Sequence, residues 1–184
     1  LADGRFVTGS QDKTVKVWVE HAGCAGGWGC NATLRHHSRW VVTCVAVLPD
    51  ASTGEPRLAI GSSDNTVKVW VERYSPRFGT WSVEKTLRGH GGSVNCVAVL
   101  ADASTGEPRF VTGSDDNTVK VWKESSLQST PQGGAREPRR GGGFGVWSVE
   151  ATLTGHSSGV SGVAVLADGR LATGSSDKTV KVWG

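Results

Sequence analysis

Histidine, aspartate, threonine and cysteine are the side chains here that could do chemistry, and their spacing narrows what that chemistry would be. His90 and His156, with Asp116, Asp177, Thr112 and Thr173, are the residue types of a triad in which imidazole takes a hydroxyl proton and a carboxylate orients the ring. They recur at equivalent positions of a repeated sequence, which argues for a structural role over catalysis. His21, Cys24, Cys30 and His36 or His37 share one short stretch and are the ligand types zinc prefers. Their intervals of two, five and five or six residues match no common zinc pattern. Unlinked side chains are the expectation, with a metal site or a Cys24–Cys30 disulfide as alternatives. Cys44 and Cys96 lie in apolar runs and read as small buried hydrophobes. No cofactor and no enzymatic activity are expected.

These residues sit in a repeat. GSQDKTVKVW ends at Trp18, GSSDNTVKVW at Trp70, GSDDNTVKVW at Trp122 and GSSDKTVKVW at Trp183, in steps of 52, 52 and 61 residues. TLRHH, TLRGH and TLTGH end at His37, His90 and His156, each followed by TCVAVL, NCVAVL or SGVAVL, and Trp28, Trp81 and Trp147 stand nine positions before those histidines. TVKVW alternates, with Val15 and Val17 on one face and Thr14, Lys16 and Trp18 on the other, as a strand requires. The Asp-Lys or Asp-Asn pair before it is suited to positive φ in a tight hairpin to the preceding RFVTGS or RLAIGS strand. The VAVL runs are apolar at consecutive positions, which fits innermost strands covered on both faces, and Ala46, Ala98 and Ala164 suit a crowded interior. Adding the strand before each histidine gives four strands per unit.

On those motifs the sequence resembles the WD-repeat family over nearly its whole length, although Val19, Val71, Lys123 and Gly184 replace the Asp that commonly follows the Trp. The resemblance implies an all-β propeller of four-stranded antiparallel blades. Blade 1 is expected at about 1–37, blade 2 at 38–90, blade 3 at 91–156 and blade 4 at 157–184. Lettering strands a to d outward from the axis, the first blade lacks strand a and the last lacks strand d, so fourteen strands are expected. Part of a larger, commonly seven-bladed ring is the leading reading. A closed four-blade ring and assembly with a second copy are the alternatives. The resemblance also implies a hydrogen-bonded set running from hairpin Asp to His to a strand-b hydroxyl to Trp. Asp116, His90, Thr112 and Trp122 form one such set, and Asp177, His156, Thr173 and Trp183 another. In blade 2, His37, Asp64 and Trp70 are present but Ile60 replaces the hydroxyl, so that set is expected to be broken or rearranged. Blade 1 offers Asp12, Thr8 and Trp18 without a histidine.

The resemblance further implies a non-catalytic scaffold that binds proteins or peptides through loops, or alternatively a structural subunit embedded in a large assembly. Trp40, beside Arg39 and near His36, stands in a d-to-a loop where other blades have glycine or serine. A Trp-Arg pair is a typical hot spot, and filling space beside Ile60 is the competing reading. DASTGEPR at 50–57 and 102–109 reads as solvated turns, and residues 123–146 as a flexible Gly/Pro/Arg-rich insert. Arg136, Arg139 and Arg140 in that insert read as part of a solvated linker rather than a polyanion site. With 20 Lys+Arg against 17 Asp+Glu, nucleic acid is not an expected partner. No apolar run suits membrane insertion, and cysteine usage favours the cytoplasm or another reducing compartment. The sequence has no methionine, so Leu1 is not expected to be a retained initiator.

Overall fold

The computed structural model describes residues 1, 3–20, 27–35, 40–49, 55–73, 79–100, 108–125 and 145–184. Among the described residues, fourteen strands make four antiparallel sheets. The first contains β1 (Phe6–Gly9), β2 (Val15–Glu20) and β3 (Trp28–Leu34). The second contains β4 (Val42–Leu48), β5 (Arg57–Ser62), β6 (Thr66–Arg73) and β7 (Thr80–Arg88). The third contains β8 (Val94–Leu100), β9 (Arg109–Ser114), β10 (Val119–Ser125) and β11 (Val146–Leu153), and the fourth contains β12 (Val160–Val165), β13 (Leu171–Ser175) and β14 (Val180–Trp183). Every strand pairs only with its neighbours in sequence, so each sheet is a meander. The first sheet has strands b to d and the last has a to c.

The G-S-x-D-[K/N]-T run builds its hairpin from its own side chains. In the first sheet Lys13 N–H donates to Ser10 O at 3.1 Å, Asp12 N–H to Ser10 Oγ at 3.1 Å, and Thr14 N–H and Oγ1–H to Asp12 Oδ1 at 3.0 and 2.6 Å. Positive φ occurs only at the second residue of each pair, Lys13, Asn65, Asn117 and Lys178, at 67–71°. The paired expectation is therefore corrected. The Asp keeps negative φ because its carboxylate must turn back to cap the Thr, while the next residue takes the left-handed conformation that Asn tolerates best.

Hydrophobic core lies between sheets. Val67, Val69 and Leu87 of the second sheet pack against Phe110, Trp122 and Trp147 of the third. Val15 and Leu34 of the first meet Leu58, Ile60 and Trp70 of the second, and Val119 and Val121 of the third meet Val160 and Leu171 of the fourth. One rule describes all three layers: strand-c valines of one sheet meet the tryptophan-bearing face of the next. The glycine of strand b permits the close approach, since a Cβ at Gly61 or Gly113 would fall 2.8 or 2.5 Å from a methyl of Val94 or Val160 on the following sheet.

Bulges aim polar side chains across these layers. Register shifts at Val42/Cys44 and Val94/Cys96 turn out Thr43 and Asn95. Thr43 then donates to Val94 O, and Asn95 Nδ2 to Val160 O at 3.1 Å, each on the next sheet. Shifts opposite Trp70 and Trp122 turn out Glu84 and Glu150, which pair with Arg57 and Arg109 of their own sheets.

Two further expectations change. The VAVL strands lie at the inner edges of their sheets but are mostly half-buried, Val47 and Ala164 are exposed, and Ala46 and Ala98 are only half-buried. Among the described residues, no strand pairs with their inner edges. Arg57 closes the first DASTGEPR segment as a buried residue of β5 rather than part of a solvated turn, because two carboxylates receive it. Residues 50–54 and 102–107 lie outside the described residues. Of the 123–146 insert, Lys123–Ser125 extends β10 and Val146 begins β11, while 126–144 lie outside the described residues.

Candidate partner-binding surface

The hairpin turns and strand-b hydroxyls converge on two histidines. His90 Nδ1 lies 2.8 Å from Asp116 Oδ2, His90 Nε2 lies 2.8 Å from Thr112 Oγ1, and Trp122 Nε1–H donates to the same Oγ1 at 2.8 Å. The fourth sheet repeats the arrangement: His156 Nδ1 to Asp177 Oδ2 at 2.7 Å, Nε2 to Thr173 Oγ1 at 2.9 Å, and Trp183 Nε1–H to Thr173 Oγ1 at 2.8 Å. The indole can only donate and the ionised carboxylate can only accept, so the direction of the chain follows. The Thr hydroxyl accepts from Trp and donates to Nε2, and Nδ1–H donates to Asp.

Burial pushes the Asp116 carboxyl up, but hydrogen bonds from Thr118, the Gly91 N–H and His90 outweigh it and hold it down at about 2. Hydrogen bonding from Thr179 chiefly holds Asp177 far below the usual carboxylate range. Burial lowers His90 below its ordinary value despite the facing Asp116. The imidazole is therefore neutral at pH 7. Both histidine side chains are 1% exposed.

Among the described residues, the other two sheets show only part of the set. Trp18 Nε1–H donates to Thr8 Oγ1 at 2.9 Å, while Asp12 caps Thr14 within its own turn. Asp64 caps Thr66 at 2.9 and 2.6 Å, and Ile60 faces Trp70 within the apolar layer and offers it no hydroxyl. His36, His37 and Arg39 lie outside the described residues.

Trp40 is 54% exposed and is absent from the apolar layer that holds Ile60. The next residue is tied to the strand b-to-c turn: Val41 N–H donates to Ser63 Oγ at 3.0 Å and Ser63 N–H to Val41 O at 3.1 Å. Trp40 thus stands at the end of the sheets where those turns emerge. Gly92 holds the matching position in the third sheet, where a Cβ would fall 2.8 Å from Asp116 N. The connection from His37 to Val42 is one residue longer than that from His90 to Val94.

An ionic seam went unnoticed in the sequence. Arg57 donates through Nε and Nη2 to Glu84 at 2.9 and 2.8 Å, and through Nη1 and Nη2 to Glu124 of the next sheet at 2.7 and 3.1 Å. Its guanidinium also lies over the Trp147 ring at 5.5 Å. Burial pushes the Glu84 carboxyl up, opposed by Arg57. Arg5 Nη1 and Nη2 reach Glu72 of the second sheet at 2.9 and 2.5 Å. The signal was present: Arg5, Arg57, Arg109 and Arg170 recur before or at the start of strand b, and Glu20, Glu72 and Glu124 recur two residues after the Trp.

Comparison with known proteins decides the family. The model of the WD domain, G-beta repeat, matches residues 1–19, 28–71, 81–123 and 147–184. The chain belongs to the WD40 family. The WD40 beta propeller domain of Doa1 superposes with a TM-score of 0.66 at 22% identity, covering 100% of this chain and 48% of that one. A relative from Drosophila persimilis, Ribosome biogenesis protein WDR12 homolog, is 28% identical over 183 residues, 99% of this chain and 39% of the relative. The Drosophila yakuba protein of the same name is 39% identical over 129 residues, 65% of this chain and 28% of the relative. The chain thus spans well under half the length of these relatives.

In WD40 terms the four sheets are blades of an incomplete propeller, the first and last each one strand short. Burial pushes the thiols of Cys44 and Cys96 up to about 12 and about 11, so neither ionises at neutral pH. Cys30 is a free, exposed thiol, whereas His21 and Cys24 lie outside the described residues. Among the described residues no group of three or more His, Cys, Asp and Glu is arranged to hold a metal, and no helix is long and apolar enough to cross a membrane.

Proposed function

We propose that this WD40 chain is a non-catalytic scaffold that binds a protein or peptide partner at the blade end carrying Trp40, within a multi-protein assembly. The observation that carries the reading is the enclosure of the His–Asp–Thr sets. Thr112 is 0% exposed, its oxygen already accepts from Trp122, and the facing imidazole nitrogen is taken up by it, so no substrate atom can reach the hydroxyl. What a partner can reach instead is an exposed indole at the end of a blade, a residue type that concentrates binding energy. The name of the Drosophila relatives supports ribosome biogenesis as the setting, and no nucleic-acid contact or membrane association is needed for the role.

The test is comigration of the tagged chain with ribosomal precursor particles on a density gradient, for wild type and Trp40→Ala. We expect wild type to comigrate and Trp40→Ala to be released at least tenfold more readily in a salt-wash series. Absence of wild type from every precursor fraction removes the assembly reading. Equal retention of the variant removes Trp40 and favours a subunit held over its whole surface.

A further inference from the structure

The two ends of the blades hold their cations differently. Arg5, Arg57, Arg109 and Arg170 stand before or at the start of strand b, and each reaches a carboxylate. Arg5 meets Glu72, Arg57 meets Glu84 and Glu124, Arg109 meets Glu150, and Arg170 meets Asp168. At the opposite end, which carries Trp40, the pattern changes. Arg88 closes β7, and Arg35 follows β3 at the equivalent position of the first blade. Both are exposed, and neither meets a carboxylate among the described residues. Lys120 Nζ donates to a hydroxyl, Thr152 Oγ1, at 3.0 Å.

These cations share the connections that run over the blade ends. Gly89, the residue after Arg88, lies against the Lys120 stem of the next blade, where an added Cβ would stand 3.8 Å from Lys120 Cδ. Arg35 opens the connection that ends in Trp40, whose indole is 54% exposed. The carboxylates of the nearby turns are directed inward. Asp64 accepts from Thr66 N–H and Oγ1–H at 2.9 and 2.6 Å. Asp116 accepts from Thr118 N–H and Oγ1–H at 2.9 and 2.6 Å and from Gly91 N–H at 2.8 Å. Turn closure thus holds the acids of this end and leaves the charge of Arg35, Arg88 and Lys120 available to a partner.

We infer that the partner met by the Trp40 end is an acidic protein segment, with carboxylates paired to Arg35, Arg88 and Lys120. This rests on the reading of that end as the partner-binding surface, and adds the sign of the partner's charge. A peptide fits the cations better than a phosphodiester chain does. Exposed turn carboxylates, Asp12 in the first blade and Asp115 in the third, interrupt the positive charge that a continuous phosphate backbone would follow. Separate carboxylates of a peptide can each meet one cation. Exposed pairs are screened by salt, so the charge contribution is modest singly and salt-sensitive.

Fluorescence anisotropy of a labelled glutamate-rich peptide containing one leucine, titrated with the full chain at low salt, reads this out. Arg35→Glu and Arg88→Glu alter exposed side chains and are each expected to weaken binding about fivefold. Arg88→Lys, which keeps the charge, and Arg170→Glu, at the other end, are expected to leave binding unchanged. The same peptide with lysine in place of glutamate is expected to bind at least tenfold more weakly, and rising salt to remove the contrast. Failure of the glutamate peptide to bind overturns the inference, as does equal binding of the lysine peptide or indifference to both charge reversals. So does displacement of the labelled peptide by polyuridine at a lower charge concentration than by its unlabelled form, which would assign the cations to RNA. Trp40→Ala separates the two readings. Binding lost in Trp40→Ala but indifferent to the charge reversals removes the acidic partner and keeps the indole contact, and the reverse pattern keeps the acidic partner and removes the indole.

Discussion

His90 is chemically interesting because of what it is denied. Its ring nitrogens are committed to Asp116 and Thr112, and burial keeps it uncharged. The pH dependence of stability follows from two folded-state shifts of the same sign. Below its ordinary value of 6.5, His90 in the unfolded chain takes up a proton that the folded site resists, so stability falls as pH drops through that value. Asp116 is held at about 2 against an ordinary 3.8, so its contribution is complete above 3.8 and is lost as pH falls toward 2. Part-exposure reduces the Asp116 contribution to on the order of 1 kcal/mol. Thermal melts from neutral pH downward should show both windows, and Asp116→Asn should flatten the lower one. An unchanged acid profile in that variant would remove Asp116 as its source.

At the scale of the strand, glycine decides how close two blades come. A Cβ at Gly113 would fall 2.5 Å from Val160 Cγ1 and 2.7 Å from Cys96 Sγ, whereas one at Gly174 meets nothing within 4 Å. The two residues occupy the same position in strand b. Gly113→Ala is expected to destabilise the chain by about 1–3 kcal/mol through overpacking, and Gly174→Ala to change it by less than about 0.5 kcal/mol. Urea unfolding of the two variants checks the contrast. Equal losses would mean that strand conformation, rather than the approach of the next blade, selects glycine.

For the whole molecule, the layers between blades carry both the apolar core and the strongest ion pairs. Arg57 and Glu84 are each 3% exposed at the side chain and Glu124 is 7%, so removing the cation strands two carboxylates out of water. Arg57→Ala is expected to cost about 3–5 kcal/mol. Arg109→Ala, whose pair with Glu150 is part-exposed, should cost under about 1 kcal/mol. Chemical denaturation measures both. A mild Arg57 effect would show that water reaches the seam.

Periodicity gave four strands per repeat unit, because alternation, turn residues and the repeated tryptophan are local properties of the chain, and the family resemblance ordered them into blades. The two His–Asp–Thr–Trp sets were implied by the family resemblance, and each spans only the connection entering one sheet and the b and c strands of that sheet. Tertiary structure decided the rest. Only the packing of one sheet on the next shows that Arg57 is buried rather than part of a solvated turn, and only the bulge within its own sheet turns Glu84 toward it. The half-burial of the VAVL strands was equally invisible, because what covers a strand edge is set by neighbours far away in sequence. A repeat specifies each blade nearly the same way. Which side chains of a blade meet another blade depends on the packing between sheets.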